Sequence, residues 1–222
     1  MPAVLVTGAG RGIGRELVRQ YAADGWRVTA TVRGDGAELS GLPGEVRVEQ
    51  LDMRDFAALE AFPARLGGAP LDLFIANAGI TAARRIDSAA AAEAWQEVHA
   101  VNAAAPTLLA EALLPNVIAA RGKLAAITSH MGSIADSSGD YVGYRASKAA
   151  LNAAWRALAL DQRHAPVAFM LLHPGWAQTD MGGPNATLAV EDSVRGMRRV
   201  IDQLPQRRSG AFLEYRGREL PW

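Results

Sequence analysis

Short apolar runs alternate with longer amphipathic segments along the whole chain. The runs are rich in Val, Ile, Leu and Ala and are bounded by Gly, Pro or Asp, which is typical of buried strands. They are Ala3–Thr7, Arg27–Thr31, Val46–Leu51, Leu71–Ala76, Lys123–Ser129, Val167–Leu172 and Ala211–Tyr215. The segments with helical periodicity between them are Arg15–Ala23, Phe56–Leu66, Ala89–Ala120, Tyr144–Gln162 and Glu191–Leu204.

Strict alternation of strand and helix predicts a parallel sheet covered by helices on both faces. We therefore expect an α/β fold, a Rossmann-type doubly wound sheet of about seven strands. The Gly-rich segment from Arg33 to Glu45 is short, so the helix expected there is predicted to be vestigial. No repeat, low-complexity tract or linker divides the sequence, and residues 1–222 are predicted to form a single domain.

The charge balance and the lack of cysteine exclude several kinds of function. The 23 Lys and Arg balance the 23 Asp and Glu, so we expect neither nucleic acid nor a membrane as partner, but a small molecule. The chain has no cysteine, which excludes disulfides and thiolate catalysis and fits a cytoplasmic protein. No charge-free apolar stretch is long enough for a bilayer, and no signal-peptide pattern precedes the first strand. The histidines lack metal-ligand spacing, so we expect no metal; they are His99, His130, His164 and His173.

A glycine-rich turn lies between the first predicted strand and the helical segment that follows it. Glycines let the backbone bend tightly and approach a pyrophosphate, and the free amides of the next helix attract its charge. The spacing is G-x-x-x-G-x-G rather than the strict G-x-G-x-x-G. We therefore predict a dinucleotide-binding domain whose phosphate turn is formed by Gly8, Gly10, Arg11, Gly12, Ile13 and Gly14.

The residue type at the end of the second strand indicates whether a dinucleotide-binding domain prefers NAD or NADP. An acidic residue there would bind the ribose hydroxyls, but the strand ends at Arg33, and Arg11 lies in the glycine turn. Guanidinium groups match a 2′-phosphate, so we predict NADP(H) as the preferred cofactor, with NAD(H) possible. Asp35 is the alternative ribose acceptor if the strand ends two residues later. Asp52 and Met53, after the third strand, are expected to contact the adenine end, although Asp52 could instead cap the next turn.

Tyr144 and Lys148 form the candidate catalytic pair. On a helix, positions i and i+4 share a face, so the phenol and the ammonium would point the same way. A nearby cation favours the phenolate and would lower the pKa of the phenol toward working pH, where it can exchange a proton with an alcohol or a carbonyl. The alternative is a solvated pair on an Ala-rich helix. Against it, the chain uses arginine for nearly all of its positive charge, and its only other lysine is Lys123.

The glycine turn, the turn Asn77, Ala78 and Gly79, and the pair Tyr144 and Lys148 together resemble the short-chain dehydrogenase/reductase family. The resemblance covers essentially the whole chain. The segments Leu172–Ala186 and Glu219–Trp222 resemble its C-factor subgroup, which is similar to small carbonyl reductases of the sniffer type. One departure is Ala76, where many members have a first asparagine; this puts the stability of the turn in doubt more than the chemistry.

The resemblance implies roles for further residues. It implies that Ser129 hydrogen-bonds the substrate oxygen, with Ser133 as second choice because the following loop is longer than is common. Asn102 matches an asparagine that supports a proton relay, and could also be an ordinary buried polar residue. Thr179, after the turn Pro174 and Gly175, matches the residue that holds the nicotinamide carboxamide. Tyr144 and Lys148 are also expected to contact the cofactor, with Lys148 hydrogen-bonded to the nicotinamide ribose.

The expected activity is NADPH-dependent reduction of a small aldehyde, ketone or diketone, with Tyr144 as the proton donor. The short segment between Thr179 and Glu191 has no apolar helical lid, which indicates an open pocket. The alternative function is a C-factor-like signalling or binding protein with little dehydrogenase activity. A serine hydrolase using Ser129 ranks last, because no G-x-S-x-G elbow surrounds this serine. The resemblance implies a homodimer or homotetramer.

Overall fold

Seven parallel strands form one sheet in the computed structural model, which describes residues 1–81, 84–161, 163 and 166–222. The strands are β1 (Ala3–Thr7), β2 (Arg27–Val32), β3 (Val46–Gln50), β4 (Leu73–Ala76), β5 (Lys123–Ile127), β6 (Ala168–His173) and β7 (Ala211–Glu214). Their spatial order is β3-β2-β1-β4-β5-β6-β7. The predicted doubly wound parallel sheet is therefore confirmed.

Helices cover both faces of this sheet. They are α1 (Gly12–Ala23), α2 (Phe56–Arg65), α3 (Ala89–His99), α4 (Ala105–Ala120), α5 (Val142–Leu160) and α6 (Val190–Gln203). On one face, α2, α4 and α5 bury residues such as Phe62, Leu113 and Trp155. On the other face, α1 and α6 bury residues such as Leu17 and Met197. The two apolar layers are typical of strands that are buried on both sides.

The strand order reverses at β1, which pairs with β2 on one side and β4 on the other. Connections from β1 and β4 leave toward opposite faces, so a crevice opens beyond the carboxyl ends of these strands. Ligands bind at such a switch point in open α/β sheets. The predicted glycine turn follows β1 directly and therefore lies at this crevice.

The long helical segment predicted over Ala89–Ala120 is not a continuous α-helix. A π-helical turn, Ala100–Ala104, separates α3 from α4. By length and composition the whole run could cross a membrane, and 44% of its apolar window is buried in the protein. Leu109, Leu113 and Val117 are fully buried against the sheet, so α4 packs as a core helix.

Two other predicted segments differ in detail. The vestigial helix between β2 and β3 is a single 3₁₀ turn, Ala37–Leu39, as expected. Helix α5 begins at Val142, before the predicted Tyr144, and ends at Leu160. The predicted end of this helix at Gln162, and also His164, lie outside the described residues.

Candidate active site

A cleft of about 590 Å³ opens at the switch point. Sixteen residues predicted from the sequence contribute to its wall. They are Gly8, Gly10, Arg11, Gly12, Ile13, Gly14, Arg33, Asp52, Met53, Asn77, Ala78, Gly79, Tyr144, Lys148, Pro174 and Thr179. Three other predicted residues, Ser129, Asn102 and Gly175, are not part of this wall.

At Gly8 and Gly14 the glycine turn is packed so closely against backbone that side chains cannot be added there. Gly8 has a φ of +66°, and a Cβ there would lie 2.7 Å from the Cα of Ala78. A Cβ on Gly14 would overlap the carbonyl oxygen of Gly8. The turn therefore presents bare backbone at the N-terminus of α1, as a pyrophosphate requires.

Asn77 ties the two central strands together at the bottom of the cleft. Its Nδ2 donates to the carbonyl oxygens of Thr7, at 2.9 Å, and Gly8, at 3.1 Å. In return, the hydroxyl of Thr7 accepts from the amides of Asn77, at 3.1 Å, and Ala78, at 3.2 Å. These bonds hold the turn although Ala76 replaces the first asparagine of many family patterns.

Carboxylates accompany the two arginines predicted to hold a 2′-phosphate. Arg33 lines the cleft, while Nη1 of Arg11 donates to Asp180 across its mouth at 2.7 Å. Glu38 also lines the cleft, and its carboxylate lies against Gly10. Asp35, the alternative ribose acceptor, accepts a bond from the amide of Ala37 at 3.1 Å. The local charge is therefore mixed rather than purely basic.

Asp52 both lines the cleft, where it could contact the adenine end, and caps the turn after β3. Its Oδ1 accepts from the amide of Arg54 at 2.9 Å, which closes this turn. The hydrogen bonds from the Arg54 side chain and amide lower the pKa of this carboxyl group. The cap of α2 itself is Asp55, which accepts from the amide of Ala58 at 2.9 Å.

Tyr144 and Ser129 approach each other from α5 and the end of β5. Burial raises the pKa of Tyr144 to about 12, and a hydrogen bond with the Ser129 side chain lowers it. Ser129 is nearly buried, and its Oγ accepts from the amide of Met131 at 3.1 Å. Ser133, the second choice, uses its hydroxyl to donate to the main-chain oxygen of Trp222 at 3.1 Å. Of the two serines, only Ser129 thus faces the phenol.

Lys148 lies beneath the phenol, one helical turn further along α5. It is only 4% exposed, and its Nζ donates to the carbonyl oxygen of Ile127 at 2.9 Å. Burial lowers the pKa of this amine to about 8. The predicted lowering of the Tyr144 pKa by Lys148 is not seen in this structure, because burial dominates and the hydrogen bond comes from Ser129.

Asn102 lies in the π-helical turn, behind the wall of the cleft. Its side chain is almost fully buried and clamps Ile80 by two bonds of 2.8 Å, one to the amide and one from Nδ2 to the carbonyl oxygen. Nδ2 also donates to the hydroxyl of Ser147 at 3.0 Å. The side chain therefore fixes the loop after β4, at Ile80, against α5.

The segment after β6 closes the other side of the cleft. Thr179 lies beside the glycine turn, since a Cβ on Gly12 would be 3.2 Å from its Cγ2. The hydroxyl of Thr179 accepts from the amide of Gly182 at 3.0 Å. Gly175 has a φ of +77° and packs toward Leu188, so it shapes the turn without lining the cleft.

Sequence reasoning missed several residues of the wall. Most of them are apolar or carry amides and hydroxyls. Several lie at or after the carboxyl end of a strand, which is a signal that could have found them, whereas Val101 lies in the π-helical turn. They include Leu51, Ile80, Val101, Ile127, Thr128, Gln178 and Met181.

The histidines form no metal site among the described residues. The rings of His130 and His173 meet edge to face with centroids 4.7 Å apart. Burial lowers the pKa of both imidazoles, that of His173 to about 4. His130, next to Ser129, is thus held by an aromatic contact with His173.

The buried amine of Lys148 predicts a pH dependence of stability. In the unfolded chain the Lys148 amine keeps its proton up to about pH 10.5, whereas in the folded chain it releases this proton near pH 8. The free energy of unfolding should therefore gain a contribution as the pH rises from about 8 to about 10. Urea unfolding should show this gain in the wild type and not in Lys148→Met. Equal pH slopes for the two proteins would contradict the assignment.

Comparisons with known proteins agree with this geometry. The family model described as short chain dehydrogenase matches residues 2–187. C-signal of Myxococcus xanthus is 44% identical over 170 residues, covering 74% of this chain and 100% of that protein.

Solved structures are similar over the full length. Carbonyl reductase Sniffer of D. melanogaster superposes with a TM-score of 0.91 at 28% identity, covering 100% of both chains. The NADPH-bound carbonyl reductase from chicken fatty liver has a TM-score of 0.88 at 34% identity, covering 100% of this chain and 99% of that one. With the glycine turn and the Ser129, Tyr144 and Lys148 cluster in place, these matches show that the chain belongs to the short-chain dehydrogenase/reductase family, whose members are NAD(P)-dependent oxidoreductases.

Proposed function

We propose that this chain is an NADPH-dependent carbonyl reductase that converts small aldehydes, ketones or diketones to alcohols. The observation that carries the proposal is the phenol of Tyr144, which lines the cleft and is hydrogen-bonded with Ser129. A pKa of about 12 keeps this phenol protonated at neutral pH, as a proton donor must be.

NADPH, when bound, supplies the hydride. Tyr144 gives its proton to the carbonyl oxygen of the substrate, and Ser129 donates a hydrogen bond to the same oxygen as negative charge develops there. Lys148 holds its amine under the phenol, fixed by the carbonyl oxygen of Ile127. Asn102 keeps the loop after β4 in place through Ile80. The reverse oxidation would use the same groups.

The cleft fits a dinucleotide because its glycine turn has no room for side chains at Gly8 and Gly14. We place the pyrophosphate at the N-terminus of α1, the adenine near Asp52 and Met53, and the nicotinamide near Thr179. Arg11 and Arg33 would hold the 2′-phosphate. The chicken reductase holds NADPH, and a carbonyl reductase from Pseudomonas aeruginosa holds NADP, which supports this preference.

Arg33→Ala tests the preference directly. Loss of a charge-assisted contact to phosphate should weaken NADPH binding by roughly tenfold or more, since such contacts contribute about 1.5–3 kcal/mol. NADH binding should change little, because NADH has no 2′-phosphate. Titrating NADPH and NADH, followed by their fluorescence, with the wild type and with Arg33→Ala gives the dissociation constant of each cofactor for each protein. Wild-type affinity for NADH equal to or above that for NADPH would reject NADP(H) as the preferred cofactor.

The activity is tested by following NADPH oxidation with a panel of small aldehydes, ketones and α-diketones, with NADH in parallel. Turnover would support the reductase. Tight NADPH binding without any turnover would instead support the signalling or binding function suggested by C-signal. The intact pairing of Ser129 with Tyr144 favours the enzyme, since a pure binder needs no positioned phenol.

Further properties belong to the same proposal. Residues 1–222 form one dinucleotide-binding domain, and the protein acts in the cytoplasm as a homodimer or homotetramer. The substrate is small because the segment from Thr179 to α6 contains no helix that could enclose a larger one.

A further inference from the structure

The main-chain oxygen of Trp222 accepts three hydrogen bonds from one short segment. The amide of Ile134 donates at 2.6 Å, the amide of Ala135 at 2.9 Å, and the hydroxyl of Ser133 at 3.1 Å. The hydroxyl of Ser133 also accepts from the amide of Asp136 at 3.0 Å. Residues 133–136 are therefore tied to a point that is distant in sequence.

Trp222 is itself fixed to the sheet. Its ring contacts Phe212 of β7, with centroids 5.6 Å apart, and the guanidinium of Arg156 lies 5.8 Å from its centroid. The preceding residues run back along β7, where the amide of Leu220 donates to the carbonyl oxygen of Phe212 at 2.9 Å. Trp222, although 45% exposed, is thus tied to β7 and α5 by its ring and by the residues before it.

The anchored segment continues directly from the turn that carries Ser129. The amide of Ser133 donates to the carbonyl oxygen of His130, and that of Gly132 to the carbonyl oxygen of Ser129, both at 2.9 Å. On its inner side the turn lies against α5, where a Cβ on Gly132 would be 2.9 Å from the carbonyl carbon of Lys148. The turn is therefore held between α5 and Trp222.

The far end of the same loop has a different support. Arg145 donates to the carbonyl oxygen of Asp140 at 2.9 Å and to the hydroxyl of Ser138 at 2.5 Å. Its bond to the carbonyl oxygen of Met131 is long, at 3.4 Å. The part of the loop next to Ser129 is thus held by Ser133 and Trp222 on one side and by α5 on the other, where Nδ2 of Asn152 donates to the carbonyl oxygen of Gly132 at 3.3 Å.

We propose that Ser133 and Trp222 are positioning residues for the carbonyl-reductase reaction, which together hold Ser129 in hydrogen-bonding contact with Tyr144. The inference rests on the proposed function, in which Ser129 bonds the carbonyl oxygen. Neither positioning residue lines the cleft. Their effect therefore reaches the reaction through Ser129 and not through the cofactor.

Ser133→Ala is the first test. Because a small displacement of a reacting group is costly, kcat should fall roughly tenfold, while the dissociation constant of NADPH stays within about twofold. Trp222→Ala, which keeps Ser133 but removes the ring contacts, should act in the same direction. Ile134→Ala is the matched control: its side chain is 78% exposed and its amide bond is kept, so kcat should not change.

The ionisation of Tyr144 gives a second readout. The hydrogen bond with Ser129 lowers its pKa, so Ser133→Ala should raise the pKa and move the rising limb for alcohol oxidation to higher pH. The phenol can also be titrated by its ultraviolet absorbance, with Tyr144→Phe as the blank, which needs no turnover. A wild-type kcat and phenol titration in Ser133→Ala, or a loss only of thermal stability, would overturn the inference. Absence of turnover in the wild type would reject the proposed function, and the phenol titration alone would then decide this inference.

Discussion

Replacing Tyr144 with Phe is expected to lower carbonyl turnover by roughly a thousandfold, within the range that general acid catalysis contributes. The change removes one hydroxyl and keeps the ring that lines the cleft, so the fold should be unaffected. NADPH binding should stay nearly intact, because the glycine turn and Arg33, which would hold the phosphates, are unchanged. Optical assay of NADPH oxidation gives the rate, and cofactor fluorescence gives the binding.

The chain offers a matched control in Tyr141. This residue lies just before α5 with its ring against the guanidinium of Arg84, 4.7 Å from its centroid, and does not line the cleft. Tyr141→Phe should therefore keep wild-type turnover. If Tyr144→Phe retained its activity, Tyr144 could not be the proton donor, whatever the result for Tyr141→Phe.

The second large effect is expected for Gly14→Ala. The added methyl group would overlap the carbonyl oxygen of Gly8 and lie 2.5 Å from Nδ2 of Asn77, so the phosphate turn must distort. Overpacking of this kind costs about 3 kcal/mol at its upper end, which corresponds to a loss of NADPH affinity of roughly a hundredfold. Calorimetric titration with NADPH measures this loss, and thermal unfolding shows how much appears as instability.

Gly34→Ala is the control for Gly14→Ala. It also adds a methyl group to a glycine of the cleft, but without crowding the neighbouring atoms. Gly34 also lines the cleft, but a Cβ there would meet no atom within 4 Å, and its φ lies outside the left-handed region. This variant should bind NADPH nearly as well as the wild type. Equal losses of affinity in the two variants would argue against the close packing of the turn as the cause.

The fold could be predicted from the sequence because the central strands are buried on both faces and form continuous apolar runs, whereas the edge strand β3 is largely exposed. Errors occurred at the ends of elements, where local contacts decide. The run Lys123–Ser129, for example, leaves the sheet after Ile127, because Ser129 caps a 3₁₀ turn by accepting from the amide of Met131. The π-helical turn Ala100–Ala104 was missed, since apolar spacing does not distinguish it from α-helix.

Within the candidate site, the glycine turn and the i, i+4 spacing of Tyr144 and Lys148 were local patterns and could be recognised. The carboxylates that line the cleft, Asp180 and Glu38, could not be recognised from local patterns. Asp180 meets Arg11 across 169 positions of sequence, and Glu38 lies on Gly10 only because the 3₁₀ turn brings it there. The choice between Ser129 and Ser133 likewise depended on Trp222, 89 positions after Ser133. The pKa of Tyr144 depended on burial, which a pair of residue types does not reveal.

The contact between Ser133 and Trp222 also sets an order for assembly on the ribosome. The glycine turn and Asn77 are joined by bonds within the first 77 residues, so the phosphate-binding half of the cleft can form while synthesis continues. On the proposal that Trp222 orders it, the turn carrying Ser129 forms only after residue 222 has been synthesised. A nascent chain would then acquire its nucleotide cradle before its ordered serine.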